Sequence, residues 1–376
     1  KPRENRQTIS INYNGINSMQ ILIDDGMQIH IGTGIGKYSK YLYDNLRKCG
    51  LCEKVDVSTF VPKSTSQKRA RITYIKHINS KKYRDMSAQY DIVHFTNYLM
   101  PFRKNKRSKY VVTVHDLVSF FYPESLPVLY RFYSRFVIRY AMRHADVVLT
   151  VSHSVKNEIT FKWPKYASKV KVAYPGLYDE YEKNHIMDSY RADALNGLGN
   201  NNFFLFVGTI EKRKNLGIVI DAFIQLKKVC SNEYKLVLAG RPGYGFDAYA
   251  ERIKQSGYSK DIICTGYIDS EDVRKLYRSA AAYVFPTVYE GFGSTQLECM
   301  INHLPLILSN IPTNREVSGD YGLFFELDSV DSLVEEMRKI VCSEIDKKEM
   351  VDRADELCKK FRWETLISDY VEAYKS

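Results

Sequence analysis

The chain has 376 residues and lacks any long apolar run. Its longest, such as Phe203–Gly208 and Leu304–Leu308, fall far short of the ~20 residues that a helical membrane span needs. The start, Lys1–Ser18, is polar and basic, with no apolar stretch of the kind a secretory leader carries. The first strand-like run is Met19–Ile23, so Met19 is read as the native start and residues 1–18 as an N-terminal extension or loose arm. Solenoid-length repeats and low-complexity segments are missing too, which excludes an array or a disordered linker as the main architecture. No Asp-X-Asp occurs anywhere. That leaves no obvious carboxylate pair for a divalent cation, and neither a metal nor another cofactor is expected.

Cysteine is sparse and odd in number: Cys49, Cys52, Cys230, Cys264, Cys299, Cys342 and Cys358 are scattered along the chain. Such usage suits a reducing cytosol better than a disulfide framework. Cys49 and Cys52 have the spacing of half a zinc site or a redox pair, but no second pair accompanies them.

What is present favours two domains, because 44% hydrophobic residues over this length can bury more than one core. Charge is unevenly shared. Residues 1–190 carry 31 Lys and Arg against 16 Asp and Glu, whereas the rest carries 24 against 28. The positive excess of the N-terminal half suits an anionic partner such as a lipid surface, a phosphorylated acceptor or a nucleic acid; a merely soluble basic surface accounts for it as well.

Short apolar runs alternate with helical patterns. Met19–Ile23, Val55–Val61, Ile92–Phe95, Tyr110–Val114, Val147–Val151 and Val170–Tyr174 read as buried strands. Phe203–Val207, Tyr234–Leu238, Ile262–Thr265, Ala282–Phe285 and Pro305–Leu308 form a second series. Tyr38–Leu46, Asn215–Lys228 and Asp272–Ser279 place apolar residues three and four apart, as helices do. The alternation predicts an α/β protein of two doubly wound, Rossmann-like domains, joined through the polar stretch Pro175–Asn202. Ligands of such sheets bind beyond the carboxyl ends of the strands, so the loops there are where chemistry is sought.

Three of these loops stand out. Gly32-Thr33-Gly34-Ile35-Gly36-Lys37-Tyr38 opens into a helix, where glycines and free N–H groups suit a phosphate; a plain strand–helix turn explains it equally. Gly208-Thr209-Ile210-Glu211-Lys212-Arg213-Lys214-Asn215 sets three cations at a strand end. They are costly there unless an anion is offered, or else they form a solvated surface run. Tyr289-Glu290-Gly291-Phe292-Gly293-Ser294-Thr295-Gln296-Leu297-Glu298 places two glutamates eight positions apart around a glycine turn that becomes a helix. Thr295 to Glu298 also fits a capping box, in which Glu298 satisfies only backbone donors.

Taken together these segments resemble glycosyltransferase family 4, a retaining family with the GT-B fold. Glu290 and Glu298 match its two glutamates within Glu-Gly-Phe-Gly, Val207–Asn215 its phosphate-binding segment, and Gly34–Tyr38 its N-domain glycine loop. Thr113-Val114-His115-Asp116 and Ala145–Ser152 are similar to the family as well, while Lys212 and Ser294-Thr295-Gln296 depart from its usual residues. The resemblance implies an acceptor-binding domain over 19–180, a nucleotide-sugar-binding domain over 181–360, a cleft between them, and a C-terminal helix over 361–376 returning to the first domain. It implies a metal-independent hexosyltransferase in cell-surface polysaccharide synthesis, taking its sugar from a nucleotide-sugar, with GDP-mannose favoured, to a glycan or lipid-linked acceptor. Arg213 and Lys214 would neutralise the departing diphosphate, with Gly34, Ile35, Gly36, Gly208, Phe292, Gly293, Ser294 and Thr295 around the donor. Glu290 would hold the sugar's hydroxyls, Glu298 the ribose, and His115 would face the sugar across the cleft; a strand-end histidine of no special role is the plainer alternative for His115.

Leu129–His144 carries Arg131, Arg135, Arg139 and Arg143 at every fourth position beside Tyr and Phe, and Pro101–Lys109 adds five cations. Such a stripe suits docking on an anionic membrane, which would place the protein in the cytoplasm or on the inner face of the cell membrane. An ordinary amphipathic helix with solvated arginines fits the same pattern. Two rival functions remain at this level: another GT-B enzyme, such as a nucleotide-sugar epimerase, and a basic nucleic-acid-binding protein. No nucleic-acid-binding motif supports the latter, and nucleic acid is not expected as a partner.

Overall fold

The computed structural model describes residues 19–27, 34–63, 66–178, 198, 202–230 and 233–376. Gln20–Met27 (β1), Lys54–Phe60 (β2), Ile92–Phe95 (β3), Lys109–Val114 (β4), Val147–Thr150 (β5) and Val170–Val172 (β6) form one parallel sheet, ordered β2-β1-β3-β4-β5-β6. Phe203–Val207 (β7), Lys235–Ala239 (β8), Ile262–Gly266 (β9), Ala282–Phe285 (β10), Leu306–Ser309 (β11) and Leu323–Phe325 (β12) form the second, ordered β12-β11-β10-β7-β8-β9. Every pairing is parallel, with Ile21 opposite Val55 and Ile92 in one sheet and Phe204 opposite Leu236 and Ala282 in the other.

Helices link the strands. Those of the first sheet are Gly34–Lys48 (α1), Gln67–Ile78 (α2), Lys81–Ser87 (α3), Val118–Phe121 (α4), Val128–His144 (α5) and His153–Lys162 (α6). Those of the second are Leu216–Val229 (α7), Phe246–Gln255 (α8), Ser270–Ser279 (α9), Ser294–Ile301 (α10), Pro312–Ser318 (α11) and Val330–Val341 (α12), followed by Lys347–Lys360 (α13) and Trp363–Lys375 (α14). Central strands covered on both faces need apolar residues at every position, and β3, β5, β10 and β11 are buried throughout. Strand β2, read from sequence as buried, is instead a sheet edge with alternating exposure. Its neighbour β1 covers one side only. Strand β12 was not anticipated, since three residues are too few for a periodic signal.

Sequence signals fix several helix ends. Asp269 accepts from Glu271 N–H and Asp272 N–H to start α9, and Ser152 accepts from Val155 N–H to start α6. Helix α14 buries Trp363, Leu366, Ile367, Tyr370, Val371 and Tyr374, a stripe of three- and four-residue steps. It packs on α1 and β5, sharing a core with Ile21, Ile23, Tyr38 and Leu42 of the first sheet's domain. Each large side chain so buried stabilises by roughly 1.5–3 kcal/mol. Tyr374 Oη meets His94 Nδ1 at 2.8 Å, and His94 Nε2 meets Thr113 Oγ1 at 2.8 Å. Burial, with the nearby His115, holds the His94 pKa down at about 3, so this imidazole is neutral.

Strand order decides where a ligand fits. In the second sheet the chain runs from β7 outward through β8 and β9, then returns to β10 on the other side of β7. In the first, β1 has β2 on one side and β3 on the other. These reversals open crevices beyond β1, β3, β7 and β10.

Candidate active site

The loops after β7 and β10 lie side by side because their strands are neighbours at the switch point. Gly208 directly follows β7, and its N–H donates to Ala239 O. Lys212–Lys214 then make one turn of 3-10 helix, and Asn215 adopts a left-handed conformation at φ 52° before α7 begins. Val288 N–H donates to Arg213 O at 3.1 Å, tying this loop to the one carrying Glu290.

The two loops deliver a cation–carboxylate cluster. Lys214 Nζ donates to Glu290 Oε2 at 2.6 Å, and Arg213 Nη1 donates to the same oxygen at 2.8 Å. Arg213 also donates to Tyr289 O at 2.7 Å and to Glu211 Oε1 at 2.8 Å. Burial pushes the Glu290 carboxyl up, but Arg213 and Lys214 outweigh it and hold the pKa at about 2. Lys214 moves below the ordinary lysine range, because burial and the adjacent guanidinium together exceed the pull of Glu290. The anion that the three cations call for is thus built into the protein for two of them, while Lys212 is exposed. Among the described residues Glu290 Oε1 takes no hydrogen bond.

Helix α10 begins at Ser294 behind Gly293, whose φ of +79° favours glycine. No side chain caps this end, Thr295 lies inside the helix, and Glu298 sits a turn further on. The capping-box pattern is therefore not used. Glu298 is buried and accepts from Tyr277 Oη at 3.0 Å. Thr295 Oγ1 is 3.1 Å from Tyr283 Oη, and Ser294 bonds to Tyr178. Phe292 packs against Tyr174 and Phe361.

On the first domain Gly34, Ile35 and Gly36 form the opening turn of α1, whereas Gly32 and Thr33 lie outside the described residues. His115 directly follows β4. Its Nε2 lies 2.7 Å from Thr96 O; a carbonyl only accepts, so this nitrogen carries the proton. The ring stands edge-on to Tyr38 at 5.0 Å, and burial lowers its pKa. Its carbonyl abuts Gly291, so the backbone beside Glu290 touches the His115 turn. Asp116 next to it is raised by burial and by Glu290, against the pull of Arg213.

Several further residues join the halves. Tyr289 Oη accepts from Leu117 N–H at 2.7 Å and donates to Glu158 Oε2 at 2.7 Å. Ser152 Oγ donates to Gly291 O at 2.6 Å, and the Glu316 carboxylate accepts from His153 N–H and Ser154 N–H at the start of α6. Asp116 and Glu211 stand inside segments singled out from sequence and were findable. Glu158 and Glu316 sit on helices with no local pattern to mark them.

The arginine stripe of α5 divides, with Arg139 and Arg143 exposed and Arg131 and Arg135 not. Arg131 and Arg135 are half-buried and turn back on their own domain: Arg131 donates to Leu126 O and Arg135 donates to Ser119 O at 2.6 Å. Arg135 and Arg139 lie over Phe120 at 5.6 and 5.2 Å. The outward face carries large apolar residues as well, with Leu129, Phe132 and Phe136 exposed by 86%, 64% and 59%. Guanidinium donors find fixed carbonyls and a ring beside them, whereas the large apolar residues find no groove. Among the described residues no helix is long and apolar enough to cross a membrane, and no three His, Cys, Asp or Glu group to hold a metal ion.

Two doubly wound domains whose strand-end loops meet in this way make up the GT-B class of architecture. Residues 192–357 match the family model for glycosyl transferases group 1, and residues 37–181 match that for glycosyltransferase family 4. The chain belongs to this glycosyltransferase family. It is 27% identical over 286 residues to O-antigen chain mannosyltransferase B of Escherichia coli, covering 76% of this chain and 74% of that protein. It is 28% identical over 238 residues to the O-antigen chain mannosyltransferase RfbU of Salmonella typhimurium, covering 63% and 61%. The crystal structure of Anabaena HepE with UDP and glucose superposes with a TM-score of 0.69 at 16% identity, covering 94% of this chain and 98% of that one.

Proposed function

We propose that this glycosyltransferase moves mannose from GDP-mannose, with retention of configuration, to a glycan or lipid-linked acceptor of a cell-surface polysaccharide. The observation that carries the reading is Glu290 Oε2 shared by Arg213 and Lys214 beside the His115 turn. A diphosphate arriving at this cluster meets two cations already held in place. As the sugar–phosphate bond lengthens, charge grows on the phosphate oxygens, and Arg213 and Lys214 strengthen their hold on them rather than on Glu290. Glu290, ionised at any working pH, accepts from the sugar's hydroxyls through Oε1. Glu298 takes the ribose hydroxyls, and the α10 start offers backbone N–H groups to phosphate. Attack comes from the face the diphosphate leaves, and a phosphate oxygen takes the acceptor's proton.

The mannose donor is supported by the O-antigen mannosyltransferases to which the chain is similar. The acceptor half meets a bilayer through α5. Leu129, Phe132 and Phe136 enter the headgroup region, while the exposed Arg139 and Arg143 of the same helix attract acidic lipid. A panel of nucleotide-sugars, with the product anomer read by NMR, tests the reading. Transfer from GDP-mannose giving an α-mannoside supports it; turnover of another donor only, or inversion, overturns the corresponding part.

A further inference from the structure

Helix α6 belongs to the first domain, yet the second domain holds it at both turns that face the cleft. The Glu316 carboxylate receives the N–H groups of His153 and Ser154 at the positive end of the helix. One turn on, Glu158 receives the phenol of Tyr289, and that phenol in turn receives Leu117 N–H. Tyr289 is buried and packs against Tyr122 with ring centroids 5.1 Å apart and the rings tilted. Its neighbour in sequence is Glu290, and its own carbonyl accepts from Arg213 at 2.7 Å. Leu117 is two residues beyond His115. A single hydroxyl therefore connects the turn that carries His115 to the loop that carries Glu290, and Glu158 orients that hydroxyl.

A phenol can donate to only one acceptor, and the lone pairs left over can receive one N–H in the fixed geometry. With Glu158 taking the proton, the phenol oxygen is turned to accept from Leu117. Without Glu158 the O–H is free to rotate, and the Leu117 amide loses a partner of fixed direction. A misplacement of about 1 Å between reacting groups costs on the order of 100-fold in rate, and a shift of one domain against the other leaves ligand contacts within each domain alone.

We propose that Glu158 is a positioning residue for sugar transfer: through Tyr289 it sets the acceptor half, with His115, against the donor half, with Glu290. The proposal rests on the reading of this cluster as the transfer site, but not on the identity of the sugar.

The test uses Glu158→Ala, Glu158→Gln, Tyr289→Phe and the Glu158→Ala/Tyr289→Phe double variant of the full chain. Transfer is followed with whichever nucleotide-sugar the wild type turns over, GDP binding is measured by calorimetry, and hydrogen exchange is measured for the peptide spanning 115–122. Glu158→Ala and Tyr289→Phe are each expected to lower kcat by ~10–100-fold, with donor KM and GDP affinity within about twofold of wild type. The double variant should be no worse than the poorer single, and Glu158→Gln, whose amide oxygen still accepts, should recover most of kcat. Exchange in 115–122 should quicken in both single variants, which reads the contact without any donor. Unchanged exchange, or kcat within twofold of wild type in folded Tyr289→Phe, overturns the proposal. So does a fall in GDP affinity as large as the fall in kcat. If Glu158→Ala does not fold, Tyr289→Phe, which removes one oxygen only, decides. Failure of the wild type to use GDP-mannose touches the donor reading; a null result in the variants alone touches this one.

Discussion

Gly291 approaches His115 so closely that a β-carbon on Gly291 would stand 1.8 Å from the His115 carbonyl oxygen. Backbone from the two domains meets here with no side chain between, directly beside Glu290. Gly291→Ala must therefore part the His115 turn from the Glu290 loop. Turnover should fall at least ~100-fold while GDP affinity, which the proposed function assigns to the second domain, changes little. Kinetics alongside calorimetry check this, and a near-normal kcat would show that the contact is not needed.

Lys214 contributes a buried cation that is already oriented. Lys214→Ala should cost about 3 kcal/mol in the transition state, or ~100-fold in kcat, with activity in both wild type and variant indifferent to a chelator. Glu290→Gln should fold and lose turnover. Full activity in both variants, or loss of wild-type activity in chelator that magnesium restores, would remove the cation-based account of catalysis.

Glu298 now has a sharper test, because α10 starts at Ser294 without using it as a cap. Glu298→Gln should weaken GDP binding by about tenfold, the scale of one charged hydrogen bond, with little change in Tm. A large drop in Tm with unchanged affinity would make it a structural residue, holding Tyr277 from below.

Two carboxyls are raised by burial to about 7: Asp24, which accepts from Tyr74 and Tyr83 at 2.5 Å each, and Glu158. A carboxyl raised in the folded state binds more protons there than in the unfolded chain. Its contribution is full below the unfolded value, near 4, and is lost as pH rises through about 7. Glu290, held at about 2, has the opposite sign, and its contribution is lost only as pH falls below the ordinary glutamate value toward that number. Urea midpoints should accordingly decline between pH 5 and 8, and Asp24→Asn should flatten the decline. An equal slope in the variant would show that Asp24 does not titrate in this window.

The α5 surface separates insertion from charge. Leu129→Ser, Phe132→Ser and Phe136→Ser together should reduce binding to vesicles containing acidic lipid without lowering Tm, since these side chains are exposed. Arg131→Gln with Arg135→Gln should lower Tm instead, because both guanidinium groups serve internal carbonyls. Vesicle sedimentation and thermal unfolding distinguish the two. Undiminished vesicle binding by the serine variant would leave this face without a membrane role.

Much of this protein is legible in its sequence, for a local reason. Buried parallel strands must be apolar at each position, so Phe203–Val207, Ala282–Phe285 and Ile92–Phe95 announce themselves at their observed bounds. Loops rich in glycine, cation and glutamate after such strands place Arg213, Lys214 and Glu290 without any coordinates. Tertiary structure alone decided which of them meet. The return of the chain from β9 to β10 beside β7 brings residues 76 positions apart onto one carboxylate oxygen. It also decided what lies across the cleft, since Glu158, Glu316 and Tyr289 act over gaps of 131 to 172 residues that no local period records. The arginines of α5 show the limit most plainly. A four-residue repeat places them on one side of a helix, but only the neighbouring carbonyls decide that Arg131 and Arg135 turn inward while Arg139 and Arg143 stay exposed.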